Sequence, residues 1–190
     1  MSPVRKVAVF GLDCAEPSLV FDKWTDDLPH LRALMERGTF GHLTSCIPPI
    51  TVPAWSCMTS SCDPGRLGIY GFRNRADHSY DKLAIATSTA VREPRLWNIL
   101  TDHGRDSIIL GVPGTFPITQ PIRGHLITSF LTPDINCAYT WPRELKNEIT
   151  NLVGDYILDV RGFRTDDKQW LLDQIYEMTD KRFTVATHLL

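Results

Sequence analysis

Two side chains in this sequence stand where chemistry is done. Asp13 ends an apolar run, Lys6 to Leu12 (Lys-Val-Ala-Val-Phe-Gly-Leu), that predicts a parallel strand buried on both faces. Ligand sites gather at the C-terminal ends of such strands, and a carboxylate there can hold a hard or borderline cation. The same carboxylate can equally serve as an N-cap for a following helix. Thr51 follows the stiff loop Ile47-Pro48-Pro49-Ile50 and is predicted to N-cap a short helix beginning at Val52 or Pro53 and running to about Ser60. A hydroxyl in that position lies among unpaired backbone N–H groups at the positive end of the helix dipole, which suits a bound phosphate. A cation beside it would lower the hydroxyl pKa further. A plain capping threonine is the other reading.

The elements that must position these residues follow from pattern. Pro17 to Trp24 allows one helical turn or two, and Leu28 to Arg37 reads as a helix with Leu31, Leu34 and Met35 on one face and Gly38 as C-cap. Thr39 to Cys46 alternates as a second strand. Strand, helix, strand predicts a mostly parallel central sheet with right-handed crossovers, flanked by helices: an α/β fold. Asp63 to Asn74 reads as a Gly-rich loop. Further on, Glu93–His103, Pro142–Val153 and Asp166–Leu190 predict helices, while Ser107–Val112 and His125–Phe130 predict strands. Residues 1–190 are expected to form a single α/β domain. The final helix runs to Leu190 on an apolar face with no cap, so the domain is expected to be the N-terminal portion of a larger, otherwise incomplete, catalytic domain.

Bulk properties exclude several classes. Twenty basic and 22 acidic residues leave a net charge of −2, which advertises no nucleic-acid surface. The apolar runs are strand-length and too short for a bilayer, and no cleavable signal precedes the first run, so a cytoplasmic protein without membrane contact is expected. The five cysteines show no paired spacing, which speaks for a reducing compartment. Cys57 and Cys62 lack a second pair for a structural zinc site. No Gly-x-Gly-x-x-Gly follows the first strand and no Gly-x-Ser-x-Gly elbow occurs, against a nucleotide-cofactor domain and a serine hydrolase.

Gly11-Leu12-Asp13, Leu28-Pro29-His30-Leu31, Arg37-Gly38, the run from Ile47 to Trp55, Met58-Thr59, Pro64-Gly65, Gly68 to Phe72, Leu96-Trp97 and Phe130-Leu131-Thr132-Pro133 follow one another in an order that resembles the type I phosphodiesterase/nucleotide pyrophosphatase family. It resembles the bacterial and archaeal soluble branch most. That family belongs to the alkaline-phosphatase superfamily, so the resemblance implies an alkaline-phosphatase-like sheet and two divalent metal ions, usually zinc. It implies Asp13 as a metal ligand and Thr51 as both nucleophile and metal ligand, acting on a small phosphoester substrate. Cys14 stands where the family usually has Gly, with an altered turn expected. Ser60 and Leu67 replace the usual Gly and His. Ala54 replaces the Asn of nucleotide-cleaving relatives, which argues against a nucleotide-specific substrate. The further metal ligands are expected downstream of this chain: His30, His42, His78, His103, His125 and His188 stand in no Asp-His motif, and Asp102-His103-Gly104 reads as a helix end. The chain alone is therefore expected to be inactive. The competing expectation is a non-catalytic α/β module that binds an anion or a partner.

Overall fold

The computed structural model describes residues 6–77 and 79–190. His78, read as part of a polar loop, lies outside the described residues. Two compact units divide between Thr44 and Ser45.

In the first unit a π-helical turn, Ser18–Lys23, precedes helix α1, Pro29–Arg37. Proline starts α1 well because its fixed φ suits a first turn whose N–H needs no partner. Gly38 donates its N–H to the Leu34 carbonyl at 2.8 Å and closes the helix as expected, in extended rather than left-handed backbone. The Phe21 ring meets Phe40 edge-on at 5.3 Å between centroids and stacks near His42 at 6.3 Å. The two strands expected here do not form. Among the described residues, 6–12 and 39–46 have no ladder partner, and Val7, Val9, Phe10 and Leu12 are 77%, 71%, 75% and 69% exposed. An apolar run specifies burial, but a strand exists only where a neighbouring strand completes its hydrogen bonds.

The second unit holds the core. Helix α2, Thr51–Ser60, and helix α3, Pro64–Leu67, are followed by a hairpin of β1, Arg73–Arg75, and β2, Leu83–Ile85, paired antiparallel. The stretch read as a Gly-rich loop thus contains a helical turn, set by the Asp63 carboxylate accepting the Arg66 N–H at 3.0 Å. Helix α4, Leu96–Asp102, leads to β3, Ser107–Leu110; β4, Gly124–Ile127, and β5, Thr140–Trp141, complete a sheet of order β3-β4-β5. Helices α5, Leu145–Val153, and α6, Lys168–Leu189, follow.

The β3–β4 pair is parallel and the β4–β5 pair antiparallel. Register then sorts side chains by face. Ile109 is matched to Leu126, and both pack with Trp97, Ile122 and Trp141. Leu110 is matched to Ile127, and both join Tyr139 just before β5, Leu145 and Ile149 of α5, Tyr156 of the following loop and Val185 of α6. A continuous apolar strand sequence is what a sheet covered on both faces requires. Each fully buried Leu or Ile of this core contributes about 1.5–3 kcal/mol relative to exposure. Gly124 opens β4 at φ +102°, where a Cβ would lie 2.2 Å from the Ser107 carbonyl oxygen. Only glycine lets the two strands approach there. The result is a mixed α/β unit with helices on both faces of a three-stranded mixed sheet. None of its helices, nor any other helix among the described residues, is long and apolar enough to cross a membrane.

Candidate functional site

Thr51 is the first residue of α2. Ile50, in extended backbone at φ −113° and ψ 147°, precedes it as the cap residue, one position earlier than the sequence predicts, and it offers no side-chain oxygen. The reason is local: Pro53 then falls at the third helical position, where its missing N–H still costs no internal bond. Ile50 donates its N–H to the Pro48 carbonyl at 2.9 Å, and the first helical bond runs from Ala54 N–H to the Ile50 carbonyl at 3.0 Å. Pro53 has no N–H, so the helix opens with the N–H groups of Thr51 and Val52 outside the backbone ladder. The half-buried Thr51 hydroxyl makes no hydrogen bond to another described residue.

The rest of α2 anchors that end. Val52 packs with Leu67, Ile69 and Ala86, and Pro53 and Ser56 are buried. At the other end the Ser60 hydroxyl donates to the Ser56 carbonyl at 2.7 Å, and Ser61 closes the helix in left-handed backbone at φ 57°. Three thiols, Cys46, Cys57 and Cys62, gather near this helix, and Cys57 and Cys62 pack against its apolar cluster. Burial, then the neighbouring Cys46 thiol, pushes the Cys57 thiol up to about 11, with Asp63 and Cys62 adding to it. Spacing alone hid the approach of Cys46 to Cys57, since the two are joined by a proline loop whose path no periodicity reveals.

Asp13 belongs to the first unit. It occupies an exposed turn, and among the described residues its carboxylate meets only the Cys14 thiol, at 3.8 Å. Cys14 sits at φ 59°, a left-handed conformation that glycine adopts freely, so the turn survives with a Cβ in it. Each is an oxygen donor of the kind divalent cations take, Asp13 in the first unit and Thr51 in the second, and among the described residues neither meets a stronger partner.

The histidines are placed as structural groups where their partners are visible. His103 closes α4 with Nδ1 at 2.8 Å from the Ile99 carbonyl, and Gly104 follows at φ +67°, so Asp102-His103-Gly104 is a helix end. His188 Nε2 lies 2.6 Å from Glu148 Oε1, joining α6 to α5. Among the described residues no group of three or more His, Cys, Asp or Glu side chains is arranged to hold a metal ion.

One polar residue of this unit was not legible beforehand. Arg95, preceding α4, is only 7% exposed. A charged residue between Pro94 and Leu96 gives no sign in the sequence that it turns inward.

No curated protein and no solved structure matches the chain. A family match extends over residues 7–188, nearly the whole length, and carries both the Asp13 turn and the Thr51 helix. This chain belongs to the type I phosphodiesterase / nucleotide pyrophosphatase family.

Proposed function

We propose that the chain supplies the nucleophile-bearing part of a metal-dependent phosphoester hydrolase, with Thr51 accepting the phosphoryl group and Asp13 and Thr51 serving as metal ligands. The observation that carries this reading is the place of Thr51 at the opening of α2, its hydroxyl uncommitted and two backbone N–H groups beside it. Membership of a family named for phosphodiesterases and nucleotide pyrophosphatases supports the reaction class.

The chain's own groups divide the work as follows. The N–H groups of Thr51 and Val52, at the positive end of α2, hold a non-bridging phosphate oxygen. The Thr51 oxygen bonds to phosphorus in line with the departing ester oxygen, its proton passing to solvent, and water later releases the phosphoryl group. Val52 and Pro53, locked in the core, fix the direction of attack. Two divalent cations, zinc being the expected pair, would neutralise phosphate charge and lower the hydroxyl pKa when bound. Further ligands are assigned to residues outside this chain, a reading supported by the engagement of His103 and His188 elsewhere. The frame proposed is a mostly parallel, alkaline-phosphatase-like sheet in one catalytic domain; the parallel β3–β4 pair, covered on both faces, supports it. Five unpaired thiols support a cytoplasmic setting.

The test uses the full-length protein and an aryl phosphate diester. Thr51→Ala is expected to lower turnover on the order of 10⁴- to 10⁶-fold with metal content unchanged. Asp13→Ala is expected to lower bound metal, read by elemental analysis. Metal is retained in Thr51→Ala because Asp13 and the further ligands hold it; turnover surviving in that variant removes the nucleophile, and a wild type that binds no metal leaves an anion-binding module instead.

A further inference from the structure

Arg95 poses a charge problem that the proposed chemistry does not use. Its guanidinium donates to the Gly114 carbonyl at 2.6 Å and to the Ser88 carbonyl at 3.3 Å and lies over the Trp97 ring, 5.2 Å from its centroid; these partners offer partial negative charge but no anion. A guanidinium has five N–H donors, so these two contacts leave most of its hydrogen-bonding capacity unused. Among the described residues no carboxylate lies within ion-pair distance of it. Glu93, the nearest in sequence, is held by Arg66 at 3.0 Å. Buried charges are ordinarily paired, because an uncompensated ion in a low-dielectric interior is costly. Burial accordingly pulls the Arg95 pKa down.

A cavity lies beside this group, lined by Arg95, Trp97, Asn98, Thr115, Gln120 and Leu126 among others, with a volume of about 20 Å³. That is room for roughly one water-sized sphere. A monatomic anion such as chloride, slightly larger than a water, suits that space. Amide donors line the space: Asn98 Nδ2 donates one hydrogen to Gln120 Oε1 at 3.1 Å and keeps a second, and among the described residues the Gln120 amide nitrogen keeps both. The Thr115 hydroxyl is spent on the Val112 carbonyl at 2.7 Å. Thr119 and Gln120 are exposed at the rim, so an ion has a way in.

We propose that this cavity is a site for one monatomic anion, chloride in ordinary salt, which pairs with Arg95 and is held by the Asn98 and Gln120 amides. A water in its place would satisfy hydrogen bonds but bring no negative charge to the guanidinium. The ion would complete a tie in which Arg95 joins the Ser88 and Gly114 backbones to the start of α4.

Thermal melting of the full chain at constant ionic strength, with sodium gluconate replaced stepwise by chloride or bromide, tests this. A saturable rise in the midpoint of about 2–4 °C is expected with either halide. Arg95→Met is expected to remove the halide dependence. Because that variant can fail to fold, a second measurement is bromide anomalous scattering from crystals, with a peak expected against Arg95. Equal midpoints in gluconate and halide, or no bromide peak in the cavity, overturn the proposal and leave a water in its place.

Discussion

At Cys14 the backbone holds φ 59°, a region that costs a residue with a Cβ roughly 1–2 kcal/mol. Glycine relieves that strain, although it loses more freedom on folding. Cys14→Gly is therefore expected to stabilise the protein by about 0.5–1 kcal/mol, read as a higher urea midpoint at unchanged slope. An unchanged or lower midpoint would mean that the turn is held open by other contacts. The departure from glycine at Cys14 was legible in the sequence, and so was the start of a short helix within a residue or two of Thr51. What could not be read was the state of each side chain. The free hydroxyl of Thr51 and the burial of Arg95 depend on neighbours many positions away, Leu67 and Ala86 for α2 and the Gly114 carbonyl for Arg95.

Among the elements, the helices were the readable part. Helices α1, α2, α5 and α6 begin and end within a few residues of their sequence signals, because a period of 3.6, a proline start and a glycine stop are local properties. Strands depend on a partner. The runs at 107–112 and 125–130 found one in each other, whereas 6–12 and 39–46 did not. The β1–β2 hairpin was missed because Arg73, Asn74 and Arg75 show no apolar alternation at all. Gly124 tests the ladder that did form. Gly124→Ala places a methyl 2.2 Å from the Ser107 oxygen in positive-φ backbone, and a loss of about 2–4 kcal/mol in unfolding free energy is expected by urea denaturation. A loss below about 0.5 kcal/mol, the range of ordinary surface changes, would show that β3 and β4 can part without cost.

Over the whole chain, proton affinities in the second unit set an alkaline limit. Burial raises the Cys57 thiol from an ordinary 9.0 to about 11 and the Tyr139 phenol from 10.0 to about 12, and Tyr156, stacked on Tyr139 at 6.1 Å, is raised as well. The folded state holds these protons more tightly than the unfolded chain does. Their contribution to stability is complete below the unfolded values and drains away as pH climbs through the folded ones. A urea midpoint that is flat up to pH 9 should fall between 9 and 11 through Cys57, and between 10 and 12 through Tyr139. Cys57→Ala should flatten the lower interval and Tyr139→Phe the upper one. A wild-type midpoint level to pH 11 would contradict the burial of both groups.

The thiols also differ in reach. Cys14 is exposed, while Cys46, Cys57, Cys62 and Cys137 are half-buried. Substoichiometric maleimide dye should therefore attach first at position 14, as peptide mass mapping would show. A fluorophore seated there is one residue from Asp13, so if Asp13 binds a cation as proposed, a paramagnetic ion such as Mn²⁺ should quench it, which would turn an accident of the turn into an optical gauge of that binding.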